Sequence, residues 1–300
     1  MLKLNYIISG VILFTLMACG IQPNYPPLSN PIQLRSNRPT LSIFSQTKQK
    51  KDLTILLKQL FKKHLADDVL SMQDLEEISQ SLEQEGISMF KTLHDDITLR
   101  ESVYPISQDM LVKEFTKPSQ ADQVPPITSE EQNQLRHLLQ PGDIILCGNN
   151  SSFVHAMLYI GQNEVIHSLA IQPGSGNRLW GVVKESLTTY FNRSERDTFV
   201  VLRSRNANTR DVQAAISYAQ DQLGKGYDSL FLTNLADRFY CTELIYHALR
   251  KMNNTPRVYP HRVRFGWQMV TVEDFMDSPD LQTVWERNFK RPSIGQLHSY

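Results

Sequence analysis

Two short apolar segments joined by a three-residue turn constrain the fold most. Residues 154–160 and 164–168 each have the length and apolar content of a β-strand, and Gly161-Gln162-Asn163 lies between them. This spacing predicts an antiparallel hairpin. His155 lies on the first strand and His167 on the second. In a hairpin of this length their side chains can share one face and approach one another.

Turn residues also separate apolar segments in the chain on either side of this hairpin. The turn Pro141-Gly142-Asp143 leads into a short apolar strand at 144–146, and another strand is expected at 199–202. Helices are predicted at 211–223, with Gly224 as the stop, and at 241–251. Strands followed by segregated helices predict an α+β domain with an antiparallel sheet, over residues 128–290.

The N-terminal third has a different organisation. A positive start, an apolar run from Ile7 to Met17 and Ala18-Cys19 are typical of a bacterial lipoprotein signal, with residues 1–18 removed and Cys19 lipidated. The apolar run is shorter than the roughly 20 residues of a membrane span. The alternative is an ordinary signal peptide with an incidental cysteine. Residues 19–40 are rich in Pro, Asn and Ser and predict an extended linker, and residues 41–117 predict a small helical module.

We therefore expect a lipid-anchored protein of the bacterial cell envelope, on the periplasmic side of the outer membrane if the host is Gram-negative. Lysine plus arginine and aspartate plus glutamate balance at 31 each. The chain therefore has no net positive charge that would attract nucleic acid as a partner.

Cys241 is the candidate nucleophile because it stands where a loop becomes an apolar helix. A thiol at a helix N-terminus faces unpaired N–H groups and the positive end of the dipole, and both favour the thiolate. The alternative is that Cys241 is a small apolar residue buried in the core, without a chemical role. Cys147 is expected to fill space in a strand, although an exported protein could also join Cys147 to Cys241 in a disulfide.

The two histidines can serve together in nucleophilic catalysis. One acts as the base, and the other orients its ring as the third member of a triad. A zinc site is the competing use of paired histidines, but the chain has no His-Glu-x-x-His, no Cys-x-x-Cys and no clear carboxylate ligand beside them. No Gly-x-Ser-x-Gly elbow of a serine hydrolase is present either.

Taken together, these segments resemble a known family. Residues 218–227, followed by Cys241-Thr242-Glu243-Leu244, look like the nucleophile half of NlpC-type papain-like cysteine peptidases. Ordinary members have their histidine strands after the cysteine, whereas here these strands precede it. That order is similar to the circularly permuted YaeF/YiiX-like branch, which is related to lecithin:retinol acyltransferase. The resemblance covers about residues 135–250 and does not extend to the helical module.

The resemblance implies a papain-like fold and a triad of Cys241 as nucleophile, His155 as base and His167 as the residue that fixes the tautomer of His155. It also places Tyr227 and Glu243 near the substrate. Glu243 has an equally simple alternative role as a first-turn carboxylate that favours the helix dipole.

The expected reaction is hydrolysis of a cell-wall or other peptide amide bond through an acyl-enzyme, with no metal and no cofactor. The alternatives are a lipid-directed acyltransferase or thioesterase and an inactive binding lipoprotein. The reacting groups are expected to meet in a wet cleft.

Overall fold

The computed structural model describes residues 89–108 except 99, 102 and 106, and residues 125–149, 152–170, 181–193, 196–263 and 267–289. The predictions for the signal peptide, Cys19, the linker and residues 41–88 lie outside these ranges. None of the helices within them combines the length and the hydrophobicity of a membrane span.

The helices of the described chain are α1 (Met89–Asp95), α2 (Ser129–Leu138), α3 (Leu187–Arg193), α4 (Thr209–Asp221), α5 (Cys241–Leu249) and α6 (Val272–Met276). The described residues between 97 and 108 are also helical. The strands are β1 (Ile144–Asn149), β2 (Ser152–Gly161), β3 (Glu164–Leu169), β4 (Gly181–Ser186), β5 (Thr198–Ser204), β6 (Gly226–Tyr227), β7 (Arg238–Phe239), β8 (His261–Val263), β9 (Trp267–Met269) and β10 (Leu281–Arg287).

Six of the strands form one sheet in the order β10-β5-β1-β2-β3-β4. Every neighbouring pair in it is antiparallel, which confirms the α+β class with an antiparallel sheet. The four predicted strands are β1, β2, β3 and β5, and the sequence analysis did not identify β4, β10, α2 or α3. The predicted hairpin is β2–β3, and its turn residues Gly161, Gln162 and Asn163 all have positive φ.

Both faces of this sheet are covered, because successive residues of a strand point to opposite sides. Leu158 and Ile166 join a core with residues of α4 and α5. Met157 and Val165 join a second core with residues of α2 and α3. The central strands are therefore apolar on both faces, and any polar side chain on them needs a partner within the protein.

The described end of the N-terminal helical segment packs on the sheet domain. Val103 and Tyr104 are buried in the same core as α4 and α5. The hydroxyl of Tyr104 donates to Asp228 at 2.7 Å, and the guanidinium of Arg238 lies 4.2 Å from the centre of the Tyr104 ring. This contact ties the segment to the loop that leads into α5.

Asp228 is a fully buried carboxyl at the centre of that loop. It also accepts hydrogen bonds from the backbone N–H groups of Leu230 and Leu232. Burial, followed by repulsion from the neighbouring carboxyl of Glu243, raises the pKa of Asp228 to about 8. The folded protein therefore holds a proton here that the unfolded chain, with an aspartate pKa of about 3.9, has released.

We predict that Asp228→Asn flattens the pH dependence of stability. A raised carboxyl pKa means that the folded state binds more protons than the unfolded state between about pH 4 and pH 8, so stability falls as pH rises through this window. The difference in unfolding free energy between wild type and variant should decrease with pH, by up to about 1.4 kcal/mol per pH unit. Urea denaturation at pH 5, 6, 7 and 8 measures this difference.

The matched control is Asp237→Asn, because the Asp237 side chain is half exposed in the same loop region. Its stability curve should run parallel to that of the wild type. A parallel curve for Asp228→Asn as well would contradict the proton count proposed for Asp228.

Candidate active site

The helix α5 begins at Cys241, as the sequence predicted. Tyr240 is the N-cap residue with extended backbone, and Cys241 is the first helical residue. The hydroxyl of Thr242 donates to the carbonyl of Val270 at 2.7 Å, and the N–H of Val270 donates to the Tyr240 hydroxyl at 2.9 Å. Hydrogen bonds on both sides of Cys241 therefore fix where the helix starts.

The start of α5 is also tied to the strand that carries His167. The hydroxyl of Ser168 donates to the carbonyl of Phe239 at 2.5 Å, and α5 packs against β2 and β3. Phe239 precedes Cys241 by two residues and Ser168 follows His167 directly. The cysteine segment is thus held against the histidine hairpin by a buried hydrogen bond.

The two histidines lie on one face of the sheet, as expected from the hairpin spacing. Nε2 of His155 and Nδ1 of His167 are 2.6 Å apart. His167 is fully buried and His155 is 8% exposed. This is a direct hydrogen bond between imidazoles, so one ring must donate and the other must accept.

Tyr190 of α3 covers this pair. Its ring stacks on His155, with centroids 6.0 Å apart and 19° between the planes, and meets His167 edge-on at 5.9 Å. Its hydroxyl lies 2.9 Å from Sγ of Cys147 and is also hydrogen-bonded by Arg196. Burial raises the pKa of Tyr190, so the ring stays a neutral phenol that shields the histidines from water.

A carboxylate that the sequence analysis missed completes the cluster. Oε1 of Glu185 on β4 lies 2.8 Å from Nε2 of His167, and its side chain is 14% exposed. The signal was hidden because β4 itself was not identified and no short motif links residue 185 to residue 167. Tyr190 was missed for the same reason, since α3 was not predicted.

Cys241 is 2% exposed and His155 is 8% exposed, so the candidate nucleophile and the candidate base are more shielded than the wet cleft expected from the sequence. The physical reason is the apolar packing of α5 on one side and the Tyr190 ring on the other. Cys147 is buried in β1, as predicted for a space-filling residue. Cys147 and Cys241 both carry thiols, so the disulfide alternative is not realised.

The two predicted substrate-binding residues are buried. Tyr227 lies in β6, is 4% exposed and packs edge-on against Phe231 with ring centroids 6.2 Å apart. These contacts are those of a core aromatic. A contact of Tyr227 with substrate stays a prediction.

Glu243 is fully buried and acts on the protein's own backbone. It accepts from the N–H of Asn234 at 2.6 Å and from the N–H of the N-cap residue Tyr240. Burial raises its pKa well above the usual range, and burial lowers the pKa of His247, whose Nε2 lies 3.5 Å away, to about 4. Burial therefore favours the neutral form of both groups, and Glu243 holds the loop and the helix start together. Its contact with substrate stays a prediction.

Metal binding was the alternative use of the histidines. Among the described residues no group of three or more His, Cys, Asp or Glu side chains is arranged to hold a metal ion. The contacts of the histidine pair are instead with each other, with a carboxylate and with a tyrosine ring.

Comparison with known proteins gives one family and one solved structure. The model of the permuted papain-like amidase enzymes, YaeF/YiiX, C92 family, matches residues 129–285. Among functionally curated proteins, none is significantly similar to the chain. The structure described as metalloprotein YiiX from Escherichia coli O157:H7 is 18% identical, with a TM-score of 0.40, and the match covers 51% of this chain and 99% of that one. A likeness at this level supports no functional argument.

The family match spans more than half of the chain and includes β2, β3 and α5 with both histidines and Cys241. The histidine strands precede the cysteine helix, which is the permuted order. The chain therefore belongs to the permuted papain-like amidase enzymes of the YaeF/YiiX type, the C92 family, and is a papain-like hydrolase.

Proposed function

We propose that this protein is a cysteine hydrolase that cleaves amide bonds in cell-wall or other peptides through an acyl-enzyme on Cys241. The observation that carries the proposal is the 2.6 Å hydrogen bond between His155 and His167, on the two strands against which the Cys241 helix packs. Nucleophilic catalysis needs a base whose ring is held by a third polar residue, and it needs a thiol. The histidine pair on β2 and β3 and the cysteine at the start of α5, which packs on these strands, supply the residue types.

In the first half of the reaction, His155 takes the proton of the Cys241 thiol. The thiolate attacks the carbonyl carbon of the substrate and forms a C–S bond, while the negative charge moves to the carbonyl oxygen. In this proposal the backbone N–H groups at the start of α5 stabilise the oxyanion. The C–N bond then breaks, and the His155 imidazolium gives its proton to the leaving amine.

In the second half, water replaces the amine. His155 takes a proton from the water, the resulting hydroxide attacks the thioester, and the C–S bond breaks. The carboxylic acid leaves and the Cys241 thiol is restored with the proton held by His155. No metal or organic cofactor takes part in this sequence.

Replacing the nucleophile tests the mechanism directly. We expect Cys241→Ala to lose labelling by iodoacetamide at neutral pH and to lose at least about 10³-fold in amide hydrolysis, because no other group forms the thioester. Mass spectrometry of the labelled full chain locates the modified cysteine. Cys147→Ala is the matched control and should keep the label, since Cys147 lies within β1 against the Tyr190 hydroxyl, whereas Cys241 is the first residue of a helix, where a thiolate is favoured.

Equal labelling of wild type and Cys241→Ala would overturn the proposal. The substrate class is tested with the same pair of proteins on peptidoglycan fragments and on phospholipid vesicles. Release of amines from the peptide fragments supports the amide assignment. Release of fatty acid alone would overturn it in favour of a lipid-directed enzyme, and a wild-type chain inactive on both would favour the binding lipoprotein.

We also propose that the protein is anchored to the bacterial envelope through a lipid on Cys19. The support is the sequence itself: a positive start, an apolar run and Ala18 directly before Cys19. Only lipid-bearing chains would stay with the membrane, because the apolar run is shorter than a membrane span.

For this anchor we predict that cells expressing the wild-type chain incorporate labelled palmitate into it and that Cys19→Ala abolishes the incorporation. The variant should also move from the membrane fraction to the soluble fraction. Cys147→Ala serves as the control and should retain the label. Undiminished incorporation in Cys19→Ala would contradict the anchor, and a wild-type chain without label would identify an ordinary signal peptide.

A further inference from the structure

The geometry of the histidine pair extends beyond the expected triad to Glu185. Its Oε1 is 2.8 Å from Nε2 of His167, on the side of the ring opposite to His155. In the β3–β4 ladder Glu185 pairs with Val165, and His167 pairs with Val183. Residues 165 and 167 point to the same face, so the sheet register brings the carboxylate onto the ring.

This contact determines where the protons lie. A carboxylate charge 2.8 Å from Nε2 of His167 favours the tautomer that carries its proton on this nitrogen, and in that tautomer Nδ1 presents a lone pair. That lone pair accepts from Nε2–H of His155 across the 2.6 Å contact. The remaining nitrogen of His155, Nδ1, is then left with a lone pair, which is the state a base needs to take a thiol proton.

The opposite assignment would disable the base. If His167 were an imidazolium, its Nδ1–H would donate to Nε2 of His155, and the proton of neutral His155 would be on Nδ1. Complete burial of His167 disfavours that cation. The Tyr190 phenol from α3 also lies against the pair, and its hydroxyl contacts Cys147 and Arg196. The Cys241 helix packs on β2 and β3.

We propose that Glu185 is a positioning residue that acts through His167: it fixes the tautomers of both histidines and stabilises the imidazolium that forms on His155. This inference rests on the proposed function of Cys241, and it adds Glu185 as a fourth residue to the proposed triad. No proton needs to reach Glu185, because the carboxylate acts by its charge, 2.8 Å from His167.

Two substitutions separate these contributions. Glu185→Gln keeps a polar oxygen close to His167 but removes the charge, whereas Glu185→Ala removes both. In full-length protein we expect the pH at which iodoacetamide alkylation of Cys241 is half-maximal to rise by about one unit in Glu185→Ala, which is about a tenfold slower reaction at pH 6. Glu185→Gln should fall between the wild type and Glu185→Ala.

The matched control is Glu164→Gln. Glu164 lies on β3, and its exposed carboxylate pairs with Lys184 of β4 at 3.1 Å, so this substitution removes a carboxylate from the same pair of strands. It should leave the alkylation profile unchanged. If the substitutions acted only by destabilising β3 and β4, the variants at residue 164 and at residue 185 would both change the alkylation profile. Urea denaturation of all three variants measures their stability.

Nitrogen-15 NMR of the histidine rings gives a readout that does not depend on activity. The wild type should show neutral His155 and His167 both protonated on Nε2, and Glu185→Ala should shift part of the population to Nδ1. Unchanged ring signals and an unchanged alkylation profile in folded Glu185→Ala would overturn the role of Glu185, even if Cys241→Ala abolishes labelling. A wild type whose Cys241 is not labelled would refute the hydrolase instead, while the ring signals would still decide the role of Glu185.

Discussion

The hydrogen bond between His155 and His167 is the interaction on which the candidate site depends. Both rings are buried in a sheet that is apolar on either face, where an imidazole without partners would cost several kcal/mol. The register of the β2–β3 hairpin removes this cost by bringing one ring to the other. A slip of one residue in either strand would move its histidine to the opposite face and break the contact. The register that stabilises the sheet is therefore also the register that the proposed chemistry requires.

The start of α5 is fixed by a second set of buried polar contacts. Ser168 is bonded to Phe239, Thr242 to Val270 and Glu243 to Asn234. Each unsatisfied partner would cost about 1–3 kcal/mol, so these contacts strongly favour one position of the helix start. The position of Cys241 follows from backbone anchoring of its neighbours, and the cysteine side chain itself does not have to contribute to it.

The sequence was sufficient to predict those parts of the fold that depend on local patterns. The hairpin with its two histidines and the helix that begins at Cys241 follow from short-range periodicity and turn residues. Elements with a weak local signal were missed, among them α2, β4, α3 and β10. In β4 the two valines are followed by Lys184, Glu185 and Ser186, so the apolar signal is shorter than the strand. Strand β10 has a single buried residue, Leu281, and lies at the sheet edge, where pairing with β5 is decided by the tertiary fold.

The same reasoning explains why Glu185 could not be found in the sequence. Its distance from His167 is set by the register between β3 and β4, and no spacing rule connects residues 18 positions apart. Glu243 illustrates the opposite case. Its place in the Cys-Thr-Glu run led to the prediction that Glu243 contacts the substrate. Its hydrogen bonds in the structure are with the backbone of Asn234 in the preceding loop and of Tyr240 at the helix start. Proximity in sequence to Cys241 therefore did not identify a contact with the histidine pair, whereas the strand register places Glu185 there.

The low exposure of Cys241 and His155 bears on how such a site can work. A thiolate and an imidazolium in a shielded environment attract each other more strongly than in water, but both lose their hydration. The balance favours the ion pair only if further groups compensate for the lost water. The helix N-terminus can do so for the thiolate, and His167 backed by Glu185 can do so for the imidazolium. Shielding by Tyr190 then makes each of these fixed dipoles and charges more effective, which is how a closed site can hold a reactive thiolate.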